Sequence, residues 1–239
     1  MLLRDDAAGE AVIAIGQASH AWISGQLARA WRPRVEPYDE VCLAAEQHDV
    51  GMAAWDLAPT LNPDTGRPHS FLEMPLETHL RLWYAAPGRL LSQSRWAALL
   101  VSLHGTAIYE LRDLARMEAR AADDVRAYLA AQRVLQARLA QEVGAEPERL
   151  RELQRLLFTW DGLSLALCLR WDPYTVHGVT LREGRWLSPW PFEGDELTVR
   201  CEGRRLEGRY EREEALHDAL EHAERVELSF TLRPGRDAA

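Results

Sequence analysis

The chain opens with a short apolar run, AVIAI at 11–15, that reads as a strand, and then changes period. From Ser19 to Trp31 the residues Trp22, Ile23, Leu27, Ala30 and Trp31 recur at helical spacing, and Pro33 closes the segment. A second helix is predicted from about Tyr38 to Asp49, with Val41, Cys42, Ala44 and Ala45 on its apolar side. The stretch from Gly51 to Pro75 is dense in Pro, Gly, Asp and Asn. It reads as a long ordered loop, a kind of segment that is often functional inside a compact domain. Helices are predicted next at about 76–86, 93–113, 117–142 and 147–170, with Gly144 and Pro147 separating the last two. The tail alternates instead: 197–201, 206–210 and 226–232 read as strands, with a short helix near 213–224.

The predicted fold is therefore mainly α. A helical body over 1–172 carries a small α/β subdomain over 173–239 packed on it, and the strand at 11–15 is a candidate to join that subdomain. There are no internal repeats and no low-complexity linker.

Composition narrows the function. The formal charge of −9 argues against a nucleic-acid polymer as partner, while a local cluster of Arg can still hold a small anion. All 28 basic residues are Arg, so a Schiff-base or phosphate-loop lysine is excluded. Cys42, Cys168 and Cys201 are far apart and form no CxxC pair, which fits a reducing, cytoplasmic setting. The N-terminus turns acidic at Asp5 and Asp6 before any signal-like run develops. No apolar segment approaches the ~20 residues of a membrane span. Nothing in the pattern specifies an oligomeric state.

Candidate chemistry lies in the order of His and Asp residues: His20, the pair His48-Asp49, His79, His104 and Asp161. Imidazole nitrogen with carboxylate oxygen suits Zn, Fe, Ni or Mn. Asp161 sits in LLFTWDGLSLALCLRW, where an unpaired carboxylate would be costly and needs an Arg, hydrogen bonds or a metal. Asp56 is a candidate to orient a ligand imidazole or to cap the loop. Arg67 offers a bidentate anion contact, and His69 a substrate contact or an alternative ligand. The loop from Gly51 to Pro75, starting just after Asp49, is expected to roof the site.

The order H…HD…D resembles the signature of the HD superfamily of metal-dependent phosphohydrolases. More closely, QASHAWISGQLARAW, AAEQHDVGMAAWD, LNPDTGRPHSF, LLVSLHG and FTWDGLSLALCLRW resemble an uncharacterised bacterial family assigned to it. The resemblance implies an all-helical, phosphodiesterase-like bundle with His20, His48, Asp49 and Asp161 as ligands of a first divalent metal. It places His79 and His104 where phosphodiesterase-like members carry ligands for a second metal, with Asp49 shared between the two ions. The implied activity is hydrolysis of a small phosphomonoester or phosphodiester through metal-activated water. Asp49, Asp56, Arg67 and His69 are then the expected catalytic set. Two other readings share the motif: a di-iron oxygenase, and a noncatalytic metal- or ligand-binding protein.

Overall fold

The computed structural model describes residues 1–6 and 11–235. Two strands, β1 (Leu2–Asp5) and β2 (Ala11–Ile15), lead directly into α1 (Gln17–Ala30) and then α2 (Tyr38–Gln47). The Gly/Pro-rich stretch is more structured than its composition suggests. It holds a 3-10 turn at Val50–Met52, the short helix α3 (Ala53–Leu57), and a small hairpin of β3 (Leu61–Asn62) and β4 (Arg67–Pro68). Four long helices follow: α4 (Leu76–Leu90), α5 (Arg95–Glu110), α6 (Ala119–Val143) and α7 (Pro147–Leu169). The last part contains β5 (Tyr174–Val176), β6 (Val179–Arg182), β7 (Trp186–Ser188), β8 (Leu197–Glu207), α8 (Glu213–His222) and β9 (Glu224–Pro234).

The expectation of a mainly α, all-helical bundle with a small C-terminal α/β appendage is overturned by the sheet. Seven strands run in the order β1-β2-β8-β9-β7-β6-β5, antiparallel except for the parallel β7–β9 pair. Strands from the start of the chain are hydrogen-bonded to strands near its end, with Ala11 opposite Glu207 and Ile15 opposite Gly203. The curled, mixed sheet is a structural layer in its own right. Strand β2 shows why. All five of its residues are buried, the mark of a strand covered on both faces. Ile13 and Ile15 face the main core with Ile23, Leu27 and Trp160, while Val12 and Ala14 pack with Leu216 and Leu220 of α8. An appendage could not bury both faces in this way.

The helices sit where their apolar faces predict. Helices α1, α2, α5 and α7 pack on one another, and α1 also lies on β8. The close approach of α1 to α2 depends on Gly25, because a Cβ there would stand 2.7 Å from the Cβ of Glu46. Pro147 opens α7 in its first turn, and Gly144 ends α6 in the left-handed region. Among the described residues no helix is long and apolar enough to cross a membrane.

Candidate metal centre

Four helices deliver five side chains to one buried point. His20 lies one turn into α1, His48 caps the C-terminal end of α2, and Asp49 follows it into the 3-10 turn. His104 comes from the middle of α5 and Asp161 from α7. His20, His48 and Asp49 each offer a ligand atom within 4.8 Å of the others, as do His48, His104 and Asp161. His48 belongs to both groups, and Asp49 joins the first because the helix ends between the two residues. Asp49 adopts φ −99° and ψ 16°, which lets its side chain turn back beside the histidine.

The hydrogen-bond network assigns the ring protons. Ser164 Oγ donates to the Asp161 carbonyl at 2.7 Å. Its lone pairs therefore accept from Ser24 Oγ at 3.0 Å and from His20 Nδ1–H at 2.8 Å. His48 Nδ1–H donates to the Ala45 carbonyl at 2.8 Å, one turn back along α2. Each ring is thus left with its Nε2 lone pair pointing inward. His20 Nε2 stands 2.8 Å from Asp49 Oδ2. His48 Nε2 stands 3.2 Å from Asp161 Oδ1 and 3.7 Å from Asp49 Oδ2, without an aligned hydrogen bond to either. His104 Nε2 lies 3.5 Å from Asp161 Oδ2. Lone pairs and carboxylates crowd one buried point, and among the described residues only histidines stand beside its two carboxylates. Such a point must hold positive charge, as a trapped proton or as a metal.

The titration behaviour agrees. Burial works against a charged His48, yet Asp49 and Asp161 outweigh it and push the imidazole up to about 9. Burial alone would raise Asp49, but His48 and His20 hold it well below the usual carboxylate range. Asp161 is lowered against the same burial, chiefly by His48. Burial pushes His104 down to about 4, with Asp161 only partly offsetting it. The donor set fits a divalent transition metal: three imidazoles and two carboxylates, with the outer nitrogens of His20 and His48 already held by Ser164 and the Ala45 carbonyl.

The cluster forms the floor of a cavity of about 330 Å³, onto which His20, Asp49, His104 and Asp161 open. The other sequence candidates are distributed differently. His79 stands on the cavity wall but outside both ligand groups. Its Nε2 accepts from Trp83 Nε1–H at 3.0 Å and its Nδ1 bonds the Tyr109 hydroxyl. Burial pushes it down to about 4. Asp56 is turned away from the imidazoles. Its Oδ2 accepts from the Gln17 backbone N–H at 2.5 Å and its Oδ1 lies 2.9 Å from the amino nitrogen of Met1. It thus works as a remote cap for α1, whose own N-cap Gly16 has no side chain to offer. Arg67 pairs with Asp5 at 3.4 Å, and His69 Nδ1 meets Thr60 Oγ1 at 2.8 Å. Neither is on the cavity wall. The segment after Asp49 does cover the cavity, through Phe71, Leu72 and Met74.

Several wall residues were not singled out from sequence: Gln17, Ile108, Arg112 and Leu165. A signal existed for all but Arg112. Gln17 precedes His20 by three residues, Ile108 lies four after His104, and Leu165 lies four after Asp161, while Arg112 stands just past the end of α5. On a helix these spacings share a face, so the ligands themselves point to their neighbours. Ser164, which fixes the His20 tautomer, is three residues from Asp161 and could have been found the same way.

No curated protein and no solved structure matches the chain. Residues 1–208 match the family described as "Protein of unknown function (DUF3891)", and the chain belongs to that family.

Proposed function

We propose that the protein is a metal-dependent hydrolase of small phosphoesters, using an HD-type ligand set of His20, His48, Asp49 and Asp161 joined by His104. The observation that carries this reading is the convergence of oriented imidazole nitrogens and two carboxylates on one buried point beneath an open cavity. A divalent ion held there supplies Lewis-acid activation of water and neutralisation of phosphoryl charge. The chain's own residues do the rest. Ser164 and the Ala45 carbonyl hold the His20 and His48 rings in the ligating orientation. Arg112, stacked at 4.8 Å over the Tyr109 ring, places a guanidinium on the cavity wall for the anionic head. The apolar wall excludes bulk water from the charged floor.

The ligand atoms support one ion per chain, where the sequence suggested two. His48 presents only Nε2, so the two overlapping ligand groups cannot each take a nitrogen from it. Both nitrogens of His79 are already engaged.

Elemental analysis after loading with Mn, Fe, Ni or Zn is expected to return close to one metal per chain. Asp161→Asn should abolish stoichiometric loading. Ser164→Ala should weaken it by roughly 10–100-fold, the usual cost of removing a ligand's hydrogen-bond partner. The loaded protein should then release phosphate from a panel of simple phosphoesters. A protein that binds no metal sinks the reading. A count of two irons with a mixed-valent signal would instead favour the oxygenase alternative.

A further inference from the structure

The cavity combines two unlike surfaces. Its floor is ionic, while its sides are built from Phe71, Leu72, Met74 and Leu76 ahead of and at the start of α4, with Ile108 and Leu165 from α5 and α7. Leu72 is 75% exposed, so this side chain lies at the lip with water as its main neighbour. Beyond the metal-ligating cluster, only two polar groups on the wall are free to serve a ligand. Arg112 is one. Gln17 is the other: it is 4% exposed, lines the cavity, and its Nε2 makes no hydrogen bond. A buried donor left unpaired is costly, and an acceptor oxygen bound beside it removes that cost. His79 also faces the cavity, but its nitrogens are committed to Trp83 and Tyr109.

This inventory discriminates among phosphoesters. A sugar phosphate or nucleotide brings several hydroxyls or base-edge groups, each of which loses water on entry and needs a partner. The wall has two polar groups to give, and an anionic head uses both. A hydrocarbon group needs none and gains from contact with the leucines, Ile108 and Phe71.

We propose that the cavity selects a small phosphoester whose non-reacting group is a compact alkyl or aryl body. The charged head lies between the His/Asp cluster and Arg112, Gln17 Nε2 donates to one head oxygen, and the body fills the apolar sleeve beneath Leu72. The identity of the head rests on the hydrolase reading above; the selection for an apolar body rests on the wall alone.

The test uses non-hydrolysable heads on the full chain supplemented with Mn. Binding of n-alkylphosphonates from methyl to hexyl, and of phenylphosphonate, is measured by calorimetry beside ribose 5-phosphate and adenosine monophosphate. Affinity should rise about threefold to fourfold per methylene until the sleeve is full, the gain expected for burying one CH₂ group. Leu72→Ser, a change at an exposed position, should flatten this increment. Gln17→Leu should weaken every phosphonate by a similar factor. Affinity independent of chain length, or tighter binding of the ribose or adenosine compounds, overturns the proposal. Turnover of the matching phosphate esters separates the two readings. Hydrolysis of polar esters in preference to alkyl and aryl ones keeps the hydrolase and removes the apolar selection. Length-dependent phosphonate binding without turnover of any ester keeps the selection and removes the hydrolase.

Discussion

One proton on His48 sets how the candidate metal centre should respond to pH. In the metal-free protein Asp49 and Asp161 hold that imidazole charged up to about pH 9, and a ligated nitrogen must be free of its proton. His104, pushed down to about 4, is already neutral in the working range, and Asp49 is already charged. Metal binding between pH 6 and 8 should therefore release one proton from His48. The apparent affinity should climb about tenfold per pH unit and flatten above about 9. Calorimetry in buffers of different ionisation enthalpy reads the proton count directly, and a pH-independent affinity across this range would contradict the assignment. Stability of the metal-free fold runs the other way. A folded value raised above 6.5 contributes fully below that pH, and the contribution is lost as pH rises through about 9. The residues of the His/Asp cluster were legible in the sequence because a buried carboxylate and an adjacent His-Asp pair are unusual chemistry. Asp56, Arg67 and His69 stand elsewhere because position in a loop says little about which way a side chain faces.

The helices are tuned for contact at particular small residues. Gly105 follows His104 on α5, and a Cβ there would lie 2.6 Å from the Trp83 ring and 2.7 Å from the Tyr128 hydroxyl. Both neighbours are large and buried, so neither yields easily. Gly105→Ala should cost about 1–3 kcal/mol through overpacking, against a small gain in helix propensity. It should also weaken metal binding by displacing His104. Urea unfolding and metal titration of this variant give both numbers, and a stabilised variant would show that the Trp83 side has slack. The long helices could be read from sequence because each repeats its apolar face over several turns. Strands β5, β6 and β7 could not, since three or four residues carry too little period to register. Their turns did carry a signal: His177-Gly178 between β5 and β6, and Glu183-Gly184 after β6, all have positive φ. Such pairs of left-handed residues close tight hairpins.

At the scale of the molecule, strands from either side of residue 172 share one sheet. A fragment ending at residue 172 would expose β2 along its β8 edge and strip the cover of α8 from Val12 and Ala14. Such an edge is a template for aggregation. The fragment should lack a cooperative thermal transition and bind no metal, whereas the full chain should melt in one step. A sharp melt and intact metal binding by the fragment would show that the helical body stands without its sheet. The strand at 11–15 was visible in the sequence, as was its candidacy to join the C-terminal strands; which of them it pairs with, and in what register, was not. Pairing across almost the whole chain leaves no local trace, because either segment alone satisfies the same apolar pattern.

That pairing also places the centre in time. The chain emerges from synthesis N-terminus first at about 5–20 residues per second, so β2 waits on the order of ten seconds or more for β8. Only Gly16 separates β2 from α1, and the bearing of His20 follows from how that strand is seated. Asp161 and Ser164 also arrive late, on α7. A metal ion meeting the growing chain early would find His48 and Asp49 without their partners and could be held only loosely. On the metal reading, loading should therefore follow the pairing of β2 with β8.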